Sequence, residues 1–475
     1  MAFRPSILSA DDPGYSERYA LRPGAQLAVG GRSLFLLRRE LAGRSTDLGA
    51  PDALKKEVLR RLATGGGTAA ELGLEHPAGA LAFLDVLRAG GWLTTTVSQG
   101  GHDLYTLQPT RPPRPRDRAG APVLSRFAVS YRESEHIVLE SPLAEARLVV
   151  HDPSLLAIVG VLARPLPAGA APDPLRDRLV EDLRRVGLVV TESSESGLDQ
   201  RQWRPGELWL HGRIRLGNGG YAGAGFGRTF WARSGYEPLP AGRPAETEPG
   251  DSAPAGPGPG VDLYRPDIGA LRASDRTLTE AMEDRRSVRA HDDATPITAT
   301  QLGELLYRCA RVRQRYERDG HEYENRPYPS GGSVYELELY PVVRLVAGLD
   351  PGLYRYDPYE HRLRLVQPPG VPVDRLLHTA MVAGTMAAQP QVVIVLAARF
   401  GRLMYSYEEL PYSLILKHVG VLYQSMYLVA TAMGLAACAL GAGDAQAFLD
   451  ATGLDFTTES SVGEFLLGSR APIAR

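Results

Sequence analysis

From Val419 to Leu440 almost every residue is apolar. A chain with such a run must bury it in a large core, bury it between copies, or place it in lipid. Gln424, Ser425 and Thr431 interrupt the run, Gly434 breaks it and Lys417-His418 precede it, so we read no bilayer span. The spacing predicts a helix from Tyr412 to Met433, stopped at Gly434, and then a short buried strand, Leu435–Leu440. A helix that is apolar all round belongs at the centre of a large core or at a dimer interface.

The chain is long enough for that core. Its 475 residues, 44% apolar and 23% charged, leave room for roughly three domains. A net charge of −2 gives no global pull toward nucleic acid or an anionic membrane. Cys309 and Cys438 are the only cysteines. They exclude a disulfide framework and the usual cysteine zinc site, so no metal is expected, and they fit a reducing cytoplasm. Asp11, Asp12 and Glu17 come early with no apolar core, unlike a signal peptide. Lysine occurs only at Lys55, Lys56 and Lys417 in this arginine-rich chain, which singles out Lys417.

The first 110 residues read as a winged-helix-like unit. Leu27–Leu37 alternates as a strand or hairpin around Gly30-Gly31, and Leu54, Val58, Leu59 and Leu62 keep helical spacing. Thr68-Ala-Ala-Glu71 is a capping box, Leu81–Leu87 a third helix, and Trp92–Thr96 with Asp103–Leu107 a wing about Gly100-Gly101. A similar order returns over 120–200, so two winged-helix-like units in tandem are expected. The candidate recognition helix Thr68–Leu74 carries Glu71 and no Lys or Arg, which argues against nucleic-acid binding. Residues 201–260 read as an irregular connector followed by a Pro/Gly-rich linker. From 261 to 475 the pattern is α+β, an antiparallel-rich sheet wrapped by helices.

Two motifs in that last stretch carry chemistry. Arg285-Arg286-Ser287-Val288-Arg289 follows a predicted helix, Thr277–Glu283, and places three guanidiniums and a hydroxyl where a phosphate could be held. Arg326-Pro327-Tyr328-Pro329-Ser330-Gly331-Gly332 combines stiff prolines with glycines that let main-chain N–H groups approach a flat ligand. Together they suggest a flavin mononucleotide (FMN) site.

These residues resemble the nitroreductase superfamily. With Glu338-Leu-Tyr340, Gly352–Asp357, Gly420, Gln424, Met433–Cys438 and the Trp203…His211-x-Arg213-x-Arg215-x-Gly217 run, they look like the SagB-type azoline dehydrogenases of ribosomal peptide pathways. The resemblance implies FMN-dependent oxidation of peptide thiazolines or oxazolines to thiazoles or oxazoles. It also implies a homodimer and a YcaO-type cyclodehydratase as pathway partner. Carried over, Arg285, Arg286, Ser287, Arg289 and Arg470 would hold the phosphate and ribityl chain, and Pro329, Ser330, Gly331, Leu440 and Gly441 would line the ring.

The family commonly supplies a Lys-Tyr pair for proton transfer. Counted back from Gly420, that pair falls on Ser406-Tyr407, so the tyrosine is kept and the lysine is not. The departure resembles thiopeptide-pathway members. Tyr407 is the first candidate for the proton work, with Tyr405, Lys417 and His418 as substitutes. Two other readings stay open. One is a small-molecule flavin reductase, which would not need the extra residues before the catalytic domain. The other is a flavin-containing nucleic-acid-binding regulator.

Overall fold

The computed structural model describes residues 14–38, 45–73, 77–116, 120–167, 171–214, 235, 238–242, 260–318, 320–407 and 410–471. They fall in two compact units, Met1–Ala224 and Gly225–Arg475.

The first unit opens with β1 (Tyr15–Leu21), the hairpin β2 (Ala25–Gly30) and β3 (Ser33–Arg38), and β4 (Ser45–Asp47). Then come α1 (Ala53–Thr64), β5 (Gly67–Thr68), α2 (Ala69–Gly73), α3 (Pro77–Ala89) and a second hairpin, β6 (Leu93–Gln99) and β7 (His102–Pro109). Local chemistry sets these starts. The Asp52 carboxylate accepts the Lys55 N–H at 2.7 Å and opens α1. Thr68 and Glu71 form the expected reciprocal cap, the Thr68 N–H donating to Glu71 at 2.7 Å. Val58, Leu59, Leu62, Phe83, Leu84 and Leu87 make the core beneath them.

After this come β8 (Pro122–Leu124), β9 (Val129–Glu133), β10 (His136–Glu140), β11 (Ala146–Val150), α4 (Leu155–Val161), α5 (Pro174–Val186), β12 (Val189–Thr191), α6 (Leu198–Arg201) and α7 (Pro205–Arg213). This segment does not repeat the first strand for strand. One sheet of order β5-β1-β6-β7-β11-β10-β9 runs through both, while short β12 pairs only with β8. The expected boundary near residue 110 therefore lies inside a continuous sheet. Part of the connector expected to be irregular is helical. In α7, Pro205 starts the helix and Glu207 accepts the Arg204 N–H at 3.1 Å. Residues 215–234 and 243–259 lie outside the described residues.

The second unit contains β13 (Gly260–Asp262), α8 (Ile268–Ser274), α9 (Leu278–Asp284), α10 (Ala299–Ala310), the hairpin β14 (Gln314–Arg318) and β15 (His321–Asn325), and β16 (Leu337–Val343). It continues with β17 (Gly352–Asp357), β18 (Arg362–Gln367), α11 (Val371–Ala383), β19 (Val392–Arg399), α12 (Phe400–Met404), α13 (Pro411–Ala432), β20 (Ala436–Leu440), α14 (Ala445–Thr452) and β21 (Glu459–Gly468). The main sheet, of order β13-β18-β17-β16-β19-β21-β20, is antiparallel throughout. Alternation along β19 sends Val392, Ile394 and Leu396 to one face with α10 and α13, and Val393, Val395 and Ala397 to the other with α11 and α14. The apolar helix is thus α13, core on one side. No described helix is long and apolar enough to cross a membrane.

Part of the linker belongs to this unit. Arg399 donates to the carbonyls of Ala241 at 2.9 Å and Pro240 at 3.0 Å, and Arg402 to Leu239 at 2.7 Å. The Ala241 N–H donates to Glu322 at 2.7 Å. Two largely buried guanidiniums need acceptors, and this stretch of backbone supplies them. The unit accordingly begins before Val261.

Candidate functional site

The arginine run is positioned by how α9 ends. The helix is capped by Thr277 and Glu280, and the chain leaves helical geometry at Arg285. The Val288 N–H then donates to the Ala437 carbonyl of β20 at 2.9 Å, pinning the run to the sheet edge. Tyr427 on α13 is the post beneath it. Its ring lies under the Arg285 guanidinium at 5.1 Å. Its hydroxyl accepts the Ala439 N–H at 2.8 Å and meets the Ser287 hydroxyl at 2.8 Å. With the phenol proton given to Ser287 Oγ, the serine proton is left to point outward.

Arg286, Ser287 and Arg289 are exposed, and among the described residues Arg285, Arg286 and Arg289 pair with no carboxylate. Arg470 joins them through a bridge between His291 and Arg470, and its Nε donates to the Leu435 carbonyl at 3.0 Å. Burial, then Arg286 and Arg276, hold the Arg470 guanidinium below its ordinary pKa. Cations crowded in this way favour an anion between them.

The second motif divides in two. Arg326 is buried and paired with Glu324 at 2.7 Å, and it donates to the Leu337 carbonyl at 3.3 Å, so it braces the base of the loop. Pro329 and Gly332 are exposed, and Gly331–Ser333 is a single tight turn. The Gly331 N–H is turned inward: it donates to His418 Nε2 at 2.8 Å. His418 Nδ1 meets Glu336 Oε1 at 2.7 Å, and Glu336 is wholly buried. The Gly331 N–H is therefore already engaged within the protein.

The four proton-transfer candidates separate in space. Tyr407 Oη would be 3.4 Å from a Cβ at Gly331, and His418 Nε2 3.3 Å, so both sit at the turn. Tyr405 is buried and stacks on His321 with centroids 5.3 Å apart. Lys417 is exposed, whereas His418, next to it on α13, is buried. At the end of β20, Leu440 is buried on the α14 face, whereas Gly441 has open space where a Cβ would project. Glu464 pairs in register with Leu440, and burial pushes its carboxyl up to about 7.

The nitroreductase family pattern matches residues 282–469, from the end of α9 through β21. The C-terminal unit carries a nitroreductase-family domain. That makes the protein an oxidoreductase, in an α+β fold. Residues 122–219 match a second family, described as the cyanobactin oxidase ThcOx. A curated protein of Methanocaldococcus jannaschii described as a nitroreductase is 29% identical over 182 residues, 38% of this chain and 84% of that protein. Among solved structures, a nitroreductase from Ralstonia eutropha is 23% identical, covers 52% of this chain and 99% of its own, and has a TM-score of 0.36. A chain of the E. coli McbBCD microcin synthetase complex with truncated pro-MccB17 bound is 19% identical over 44% of this chain and 75% of its own, with a TM-score of 0.35.

Two residues of the site escaped the sequence reading. Tyr427 looks like core on an apolar helix, and Glu336 like the flank of a strand. Only the fold brings the first under Ser287 and the second under His418.

Proposed function

We propose that this protein is an FMN-dependent dehydrogenase that oxidises peptide thiazolines or oxazolines to thiazoles or oxazoles. The observation that carries the FMN site is the guanidinium cluster of Arg285, Arg286 and Arg289, which pair with no carboxylate among the described residues, with Arg470 beside it. A phosphate dianion suits that cluster, and Ser287, oriented by Tyr427, adds a neutral donor. The open approach at Gly441 and the exposed Pro329 and Gly332 suit the face of a flat ring. The ThcOx-like stretch beside the nitroreductase-family domain favours a peptide azoline over a small molecule.

In this reading Arg285, Arg286, Ser287, Arg289 and Arg470 bind the phosphate and ribityl chain, and Pro329, Ser330, Gly331, Leu440 and Gly441 line the ring. Bound FMN would supply the acceptor for a hydride from the azoline ring. Tyr407 Oη, beside the turn, would act as a phenolate that takes the proton from the neighbouring ring carbon, which the adjacent imine and carbonyl already acidify, and become the neutral phenol. Lys417 faces solvent, and Tyr405 packs into the interior, so Tyr407 is favoured over both. A homodimer fits the exposed apolar positions Tyr412, Leu416 and Val421 on α13. A YcaO-type cyclodehydratase would supply the azoline, and a thiopeptide-type pathway suits the serine that replaces lysine at 406.

The test is mass spectrometry of an azoline-containing peptide incubated in air with the FMN-loaded protein. Loss of two hydrogens per ring supports the reading. An unchanged peptide, with NAD(P)H-dependent reduction of a quinone or nitroaromatic, replaces it with the small-molecule reductase that the Methanocaldococcus similarity favours.

A further inference from the structure

We propose that Glu336 and His418 are positioning residues that hold the Ser330–Gly332 turn in its ligand-facing shape, and that the imidazole moves no substrate proton. This rests on the reading of that turn as a wall of the FMN site.

The tautomer follows from the partners. His418 Nε2 accepts the Gly331 N–H at 2.8 Å, so its lone pair is used and it carries no proton. Nδ1 must then hold the proton, which it donates to Glu336 Oε1 at 2.7 Å. An imidazole engaged at both nitrogens has no site left for a proton from the ring carbon. The second Glu336 oxygen accepts from Ser330 Oγ at 3.4 Å, and Ser330 Oγ accepts the Tyr335 N–H at 3.1 Å. The bonds close a ring: Gly331 to His418, to Glu336, to Ser330, beside Gly331 in the chain. Its members come from the turn and from α13, far apart in sequence.

The turn needs such a hold. Gly332, Ser333 and Tyr335 have φ of 61°, 58° and 50°, in the left-handed region. Ser333 and Tyr335 carry a Cβ, and residues with a Cβ keep that conformation only where the surroundings enforce it. Without the ring, the Gly331 N–H would lose its acceptor, the buried Glu336 carboxylate would lose its donors, and the turn would be free to relax.

The experiment compares wild type, His418→Gln, His418→Leu and Ser330→Ala by three readouts. These are FMN affinity by fluorescence titration, backbone hydrogen exchange over residues 328–337 without flavin, and kcat against pH with azoline peptide. Glutamine can accept from Gly331 and donate to Glu336, so His418→Gln should stay within about threefold of wild type in all three. His418→Leu should bind FMN about tenfold more weakly and exchange the Gly331 amide faster. Ser330→Ala, at a surface turn, should show a smaller acceleration and serves if His418→Leu does not fold. Native exchange and FMN affinity in both His418→Leu and Ser330→Ala would overturn the proposal. So would a His418→Gln protein with normal FMN binding, a lost limb in its pH profile and kcat down about a hundredfold, because that is acid–base behaviour. If wild type binds no FMN, the reading of the site fails, and the flavin-free exchange data still decide whether the ring holds the turn.

Discussion

Tyr407 and Glu464 are two ionisable residues near the site, and they call for different measurements. Replacing Tyr407 by Phe removes only a hydroxyl at the edge of the turn. FMN binding should be kept and turnover should fall about a hundredfold, in the range of lost general-base catalysis. Full kcat in stopped-flow assays would take Tyr407 out of the mechanism. For Glu464, burial raises the carboxyl from 4.5 to about 7 in the folded chain. The folded state therefore binds the proton more tightly than the unfolded one. Relative to glutamine at this position, stability is undiminished below the unfolded value and is lost as pH rises through about 7. Glu464→Gln should accordingly raise Tm at about pH 8, by a free energy of roughly 3 kcal/mol, and leave it unchanged near pH 4. Calorimetry at the two pH values checks the sign. The two residues differed in legibility. Tyr407 could be located by counting from Gly420. Glu464 looked like any strand carboxylate, because its burial depends on Leu440 lying opposite it in register.

At the level of elements, strong local signals were readable and long-range ones were not. The capping box at Thr68, the helix start at Thr277 and the helix break at Gly434 follow from a few neighbouring residues, and the structure has them. Short α12 and α14 and the hairpin β14–β15 were missed. Gln314–Arg318 is wholly exposed and polar, with no alternation to betray a strand. The inward aim of the Gly331 N–H was also invisible, since its acceptor lies on another element. Arg402 gives the sharpest prediction at this scale. It is fully buried on α12 and donates to the carbonyls of Leu239, Glu322 and Val334, joining the linker, the β14–β15 hairpin and the end of the ligand turn. Arg402→Met would leave those carbonyls without donors and should destabilise the unit by about 3 kcal/mol, read from urea denaturation. Unchanged stability would mean that the three segments hold together without it.

For the whole molecule, the surface of α13 offers a test of assembly. Tyr412, Leu416 and Val421 are exposed apolar positions on α13, with Lys417 and Gln424 among them, while Ile415, Leu422 and Met426 join the core. Leu416→Glu with Val421→Glu should turn a dimer into a monomer by sedimentation velocity and release bound FMN. A dimer that survives both charges would place the interface elsewhere. The antiparallel sheet and the nitroreductase-like character of the second half were legible, because the motifs lie within the domain itself. The partition of the first half was not, because the pairing of β7 with β11 joins segments that look separate in sequence. The anchoring of Leu239, Pro240 and Ala241 also bears on where the halves can be cut apart. A gene fragment starting at Gly260, where the Pro/Gly-rich stretch ends, would encode every catalytic candidate and still delete the acceptors of two buried guanidiniums. The natural seam for exchanging one front half for another lies upstream of Pro238, and recombination there would leave the oxidoreductase half whole.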